Sequence, residues 1–168
     1  MRRIQIIVNN GAGTGQAHRI WNETQRLLRG YKIKYVAHTT RYQGHATKLA
    51  EKISSMKGDD PIYLIVIGGD GTLNEVLNGI TDFDRVRLGV IPTGSGNDFG
   101  RNLKLPKNTE RKPETNLRQY QKRPAGEELY RIDLGQVSWD GCDKPRILAS
   151  VPDLGWMHWC ARKLSIPD

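Results

Sequence analysis

Apolar residues come in short bursts along this chain, and two spacings alternate. "IQIIVNN" (Ile4–Asn10), "IYLIVI" (Ile62–Ile67) and "VRLGVIP" (Val86–Pro92) are nearly continuous apolar runs bounded by Asn, Gly or Pro. Such runs predict buried strands. "YKIKYVA" (Tyr31–Ala37) alternates apolar and basic residues, which suits a strand with one more exposed face. Between the runs the period changes. Ile20, Thr24, Leu27 and Leu28 recur at helical spacing before Gly30, and Ala46, Leu49, Ala50 and Ile53 do so before Gly58. Leu73, Val76, Leu77 and Ile80 form a third helical stripe. The resulting order is β-α-β-α-β-α-β. It predicts an α/β fold: a Rossmann-like, mostly parallel sheet with helices on both faces and function at the carboxyl ends of the strands.

Past "PTGSGNDFGRNL" the pattern breaks into a polar, basic segment that runs to about Glu128. "LYRIDLGQVSW" (Leu129–Trp139) and "PRILASV" (Pro145–Val151) then read as strands around Asp140-Gly141, a hairpin signal. Two strands alone are rarely stable in water. They either add to the first sheet or begin a second β-rich unit. The division expected is an α/β domain over 1–125, with the start of an incomplete β-sandwich domain over 126–168.

The 168 residues suffice for one ordinary core, and the formal charge of +8 favours acidic partners. From Arg101 to Pro124 there are eight Lys or Arg against two Glu. That excess is either a solvated surface or a face held near an anionic one. Cys142 and Cys160 form no CxxC pair, which argues against a disulfide framework or a cysteine zinc site. No apolar run is long enough to span a bilayer, and the apolar run after "MRR" is too short for a signal peptide. The expectation is a cytoplasmic protein.

Two glycine-rich segments carry the chemistry. In "GGDGT" (Gly68–Thr72), glycines permit close backbone approach, and the following helix offers free amides to phosphate. Thr72 and Glu75 match a capping box that would start that helix. Asp70 would repel a bare phosphate. It becomes useful if a divalent cation accompanies the phosphate, or if it steers a substrate hydroxyl. "PTGSGNDFGR" (Pro92–Arg101) repeats the logic, with Gly94, Ser95 and Gly96 as donors and Asn97 and Asp98 as side chains for metal or sugar. The bland alternative, two tight turns with helix caps, weakens because both follow strands. "NNGAGTG" fails G-x-G-x-x-G at Gln16, and no G-x-x-x-x-G-K-[ST] occurs. A dinucleotide dehydrogenase and a P-loop NTPase are thereby disfavoured. His18, His38, His45 and His158 show no metal spacing, and Trp156 and Trp159 read as core aromatics or an artefact of truncation rather than a lipid anchor. Charge alone suggests nucleic acid, but no recognition motif supports it.

"GGDGTLNEV" at Gly68–Val76, "PTGSGNDFGR" at Pro92–Arg101 and "IDLG" at Ile132–Gly135, in that order, resemble the diacylglycerol kinase catalytic domain family. That family includes bacterial lipid kinases and the sphingosine and ceramide kinases. The resemblance covers about residues 3 to 139. It implies an ATP-binding α/β domain followed by a β-sandwich, and transfer of the ATP γ-phosphoryl, with Mg²⁺, to a lipid hydroxyl such as that of diacylglycerol. By position, Asn9, Asn10, Gly11, Ala12 and Gly13 resemble an ATP-contacting turn, and Thr40 the threonine after the second strand. Gly69, Asp70, Gly71, Thr72, Leu73, Asn74 and Glu75 resemble the main nucleotide loop, and Ser95 the hydroxyl of the second. Asp70, Asp98 and Asp133 resemble three acids around the reaction centre.

Two departures stand out. Asn9-Asn10 replaces the family's usual Asn-Pro. "ILASVPDLGWMHWCARKL" (Ile147–Leu164) matches poorly where the family continues into a domain carrying a general base and metal ligands. The resemblance thus implies a truncated chain, with metal ligands undefined. The lipid acceptor would be met peripherally at a membrane surface, and the exposed edges of an unfinished β-domain would invite homodimers. A catalytically silent ATP-binding fragment and an NAD-kinase-like enzyme stand as alternatives.

Overall fold

A computed structural model describes residues 3–11, 16–96, 98–99, 129–139, 143–148 and 162–167. The first strand, β1 (Ile4–Val8), is buried along its whole length. Helix α1 (Gln16–Gly30) leads to β2 (Tyr35–Thr39), α2 (His45–Ser54) to β3 (Ile62–Gly68), and α3 (Asp70–Gly79) to β4 (Val86–Pro92). All four strands run parallel, in the order β2-β1-β3-β4.

Burial on both faces explains the continuous apolar runs. Ile4, Ile6 and Val8 of β1 pack with Ile65 and Ile67 of β3 beneath Ile20, Trp21 and Leu28 of α1. Ile7, Leu64 and Val66 point the other way, against Ala46 and Ala50 of α2 and Leu73, Val76 and Leu77 of α3. Helices therefore cover both faces, as the periodicity predicts. Close contact between α2 and α3 depends on Gly79. A Cβ there would collide with the Thr47 carbonyl oxygen and with Ala50.

The second strand starts later than its sequence suggests. Tyr31 and Lys32 form the turn that ends α1, with the amide of Tyr31 donating to Leu27 O at 2.9 Å and that of Lys32 to Arg29 O at 3.0 Å. Lys32 has φ 55, a left-handed conformation that stops the helix. The alternating "YKIKYVA" run was thus split between a helix terminus and a strand.

Three further strands extend the sheet past β4. Strand β5 (Leu129–Val137) pairs antiparallel with β6 (Arg146–Leu148), the hairpin read from Asp140-Gly141. Strand β7 (Arg162–Pro167), which the sequence pattern did not reveal, lies between β4 and β5. It meets β4 in parallel at Arg87 and Ser165, and β5 antiparallel. Leu134 and Ile147 join the core beneath α3. The domain division expected after residue 125 falls outside the described residues, as do the basic stretch 101–124, Cys142, Cys160, Trp156, Trp159 and His158.

Asn78 ties the hairpin to α3. Its Nδ2 donates to Ile147 O at 2.8 Å, and its Oδ1 accepts from Ile147 N at 2.9 Å. The side-chain amide thus replaces a neighbouring strand for one residue of β6. Asn78→Ala should lower the unfolding free energy by about 1–3 kcal/mol, because both backbone groups lose that partner. Urea denaturation of the variant measures it.

His38 supplies a second prediction. Its Nε2 donates to Gln5 Oε1 at 3.0 Å across the β1–β2 pair. Burial, and secondarily the charge of Lys52, lower its pKa from the usual histidine value of 6.5. The folded protein therefore binds this proton less readily than the unfolded chain. The stability contribution is present above the unfolded pKa and is lost as pH falls through it toward the folded one. Urea midpoints should fall as pH drops from about 7.5 to about 5, and His38→Gln should flatten that fall.

Candidate active site

The carboxyl ends of the parallel strands lie at one edge of the sheet. Order reverses between β1 and β3, since β2 lies to one side of β1 and β3 to the other. Doubly wound sheets bind ligands in the crevice at such a reversal. Here the crevice is bridged directly: Asn9, just past β1, donates from Nδ2 to Thr72 Oγ1 at 2.8 Å. Its Oδ1 accepts from Gly11 N at 3.1 Å, so both ends of the amide are held. A cavity of about 500 Å³ opens beside this bond. Its floor is lined by Asn9, Gly11, Gly69, Gly71 and Thr72, and its wall by Thr40 to Gln43, which follow β2 on the other side of β1 from β3. The volume lies within the range of small-molecule sites, roughly 300–1,000 Å³.

Helix α3 begins at the cavity floor. Gly69 is its N-cap, in extended conformation and with no side-chain capping bond. The amide of Leu73 donates to Gly69 O at 3.0 Å, which leaves the first-turn amides of residues 70–72 as the helix's orphan donors. Helix dipole and bare amides together suit an anion. The expected capping box does not form. Thr72 sits inside the helix and accepts from Asn9, while Glu75 turns away to α2.

Glu75 holds the start of α2. Its Oε1 accepts from Gly44 N at 2.8 Å and its Oε2 from Ala46 N at 3.2 Å. Its carbonyl accepts from Thr47 Oγ1 at 3.0 Å. Gly44, the N-cap of α2, has φ 83 and no capping side chain, so Glu75 supplies from 31 residues away what a local cap would. A carboxylate there also complements the α2 dipole.

Asp70 faces the second glycine segment. Its Oδ2 accepts from Asp98 N at 3.2 Å and its Oδ1 from Phe99 N at 3.4 Å. Phe99 is buried in the core beneath, which anchors that segment. Thr93 N donates to Gly68 O at 2.9 Å. A Cβ on Gly69 would lie 3.2 Å from Gly94 Cα, and one on Gly96 would lie 2.9 Å from Asp70 Oδ2 and 3.7 Å from Asp98 Oδ2. The two glycine segments therefore touch through bare backbone, with both carboxylates beside Gly96. Thr93 buries its hydroxyl oxygen, and Asn10 its Oδ1, with no hydrogen-bond partner among the described residues.

The candidate residues thus divide. Asn9, Gly11, Thr40, Gly69, Gly71, Thr72 and Glu75 line the cavity. Asp70 and Asp98 meet at the second loop, where Ser95 is exposed. Leu73 is a core side chain whose amide is spent on Gly69, and Asn74 lies exposed on α3, its carbonyl accepting from Asn78. Asp133 lies on β5 with its backbone opposite Lys163. Ala12, Gly13 and Asn97 lie outside the described residues. Sequence reasoning passed over Arg41, Tyr42 and Gln43, although they directly follow Thr40 at a strand's carboxyl end. Among the described residues no group of three or more His, Cys, Asp or Glu could hold a metal, and no helix is long and apolar enough to cross a membrane.

The family model described as the diacylglycerol kinase catalytic domain matches residues 3–136. The chain belongs to this family. A diacylglycerol kinase of Staphylococcus epidermidis is 42% identical over 106 residues, covering 62% of this chain and 33% of that protein. A diacylglycerol kinase of Bacillus subtilis is 33% identical over 139 residues, covering 82% and 43%. A crystal structure of a diacylglycerol kinase from Bacillus anthracis superposes with TM-score 0.61 at 31% identity, over 80% of this chain and 46% of that one. The matches thus span between a third and a half of these relatives' lengths.

Glu75→Ala should expose the α2 amides of Gly44 and Ala46 to faster hydrogen exchange and cost about 1–2 kcal/mol, the scale of a lost helix cap. Exchange at those two amides separates this effect from general destabilisation.

Proposed function

We propose that this chain is the nucleotide-binding part of an ATP-dependent lipid kinase. It would transfer the γ-phosphoryl of ATP to a lipid hydroxyl such as that of diacylglycerol. The observation that carries the reading is Asp70: one carboxylate joins the N-terminus of α3 to the backbone of the second glycine segment, and so stands between a phosphate-binding floor and a neighbouring acid. Membership in the kinase family supports it.

The chain's own contribution is positioning and electrostatics, which dominate phosphoryl transfer. First-turn amides of α3 would receive phosphate oxygens. Asn9, fixed at both ends of its amide, would hold the β1 turn against that floor. In the transfer, the acceptor oxygen would form its bond to γ-phosphorus as the bond to the β–γ bridging oxygen breaks, ADP leaves, and the hydroxyl proton passes to solvent water. Asp70 and Asp98, two oxygen donors beside Gly96, fit Mg²⁺, which commonly takes one or two carboxylates together with phosphate oxygens. Bound there, the ion would offset charge on the phosphates. The acceptor would be presented at a membrane surface, with the basic 101–124 segment toward anionic lipid.

Calorimetric titration with ATP and Mg²⁺ tests the reading. The wild-type chain should bind saturably, and Asp70→Ala should weaken binding about tenfold or more, the scale of a lost charged partner. With γ-labelled ATP, label should pass to diacylglycerol and not to NAD. A folded wild-type chain that binds no ATP would overturn the proposal.

A further inference from the structure

We propose that Tyr42 is the platform on which the nucleotide's base stacks, a role that rests on reading the cavity as a nucleotide site. Tyr42 belongs to the cavity wall opposite the glycine floor and is 55% exposed. Large apolar side chains that open are few among the described residues, and the others, Met56 and Trp139, lie outside this cavity.

The ring is held ready rather than left loose. His45 stacks on it, with centroids 4.6 Å apart and planes inclined by 16°. His45 is itself fixed, because its Nδ1 accepts from Arg41 N at 3.1 Å. The backbone is pinned on both sides of the tyrosine. Thr40 N donates to Val8 O at 2.9 Å, and His45 N donates to Tyr42 O at 3.1 Å. Gly44, next along, is held by Glu75. Tyr42 stays 55% exposed with His45 stacked on its ring and Lys48 Nζ standing over it. An aromatic ring fixed before binding loses little entropy when a ligand stacks on it.

Direction along the cavity identifies the ligand part. Phosphates belong at the α3 terminus, where the amides are, so the wall at residues 40–43 receives the other end of the nucleotide. A polyphosphate gains nothing from an aromatic ring, whereas a flat heterocycle does. Arg41 and Gln43 flank the tyrosine on the same wall and offer polar groups to the edge of such a base. That polarity disfavours an acyl chain. Lys48 Nζ, 5.5 Å from the ring centroid, adds positive charge suited to an anionic ligand.

The test compares ATP with inorganic tripolyphosphate, each with Mg²⁺, on the full 168-residue chain. Wild type should prefer ATP. Base–aromatic stacking predicts that Tyr42→Leu cuts this preference about tenfold to a hundredfold, and that Tyr42→Phe keeps it. Circular dichroism and urea midpoints verify that the variants fold. If wild type binds both ligands equally, or if Tyr42→Leu weakens both in proportion, the platform is wrong while the phosphate floor stands. If wild type binds neither, the nucleotide reading fails and takes the platform with it.

Discussion

Bare backbone against bare backbone is the constraint on which this site depends. Two segments from neighbouring parallel strands approach until a Cβ on Gly69 would press on Gly94 Cα at 3.2 Å. Only that closeness lets one carboxylate, Asp70, reach the amides of Asp98 and Phe99 while remaining part of the α3 terminus. Phe99 pulls the second segment down into the core, and the Thr93–Gly68 bond sets its height. The glycines are therefore what brings the two segments together. They create a seam along which a charged ligand can lie against fixed dipoles instead of side chains.

The fold was largely legible because burial on both faces writes continuous apolar runs into β1, β3 and β4, and writes helical stripes between them. Where the sequence misled, a non-local partner was responsible. The Thr72–Glu75 spacing is that of a capping box, yet Glu75 is drawn to α2 because Gly44 leaves its amides uncapped. No local pattern contains that partner. Tyr31 resembles a strand residue but lies in the turn that ends α1, where Lys32 turns left-handed. Strand β7 was not legible because "RKLSIP" carries no continuous apolar run. At the site, glycines and acids were readable from composition and spacing. The wall at Arg41–Gln43 was not, because ordinary surface residues gain meaning there only from the turn that aims them at the cavity.

Helix α3 is short, yet four of its polar side chains are committed. Asp70 goes to the second loop, Thr72 to β1's turn, Glu75 to α2, and Asn78 to the β5–β6 hairpin. Leu73, Val76 and Leu77 fill the core between them. Each polar bond replaces a contact that water would otherwise make, so its net worth is modest. Together they fix the orientation of one helix by four independent directions, which is what a site with sub-ångström demands needs from its scaffold.

The missing side chain at Gly79 has a consequence beyond packing. It lets the α2 backbone rest directly on α3, and Glu75 clamps the near end of the same contact. Part of the cavity floor belongs to α3 and its far wall leads into α2, so these two jaws are packed on one another. Such a cavity measures length like a fixed gauge. A ligand shorter than the gap touches one jaw only, and a longer one must bend to lie between them.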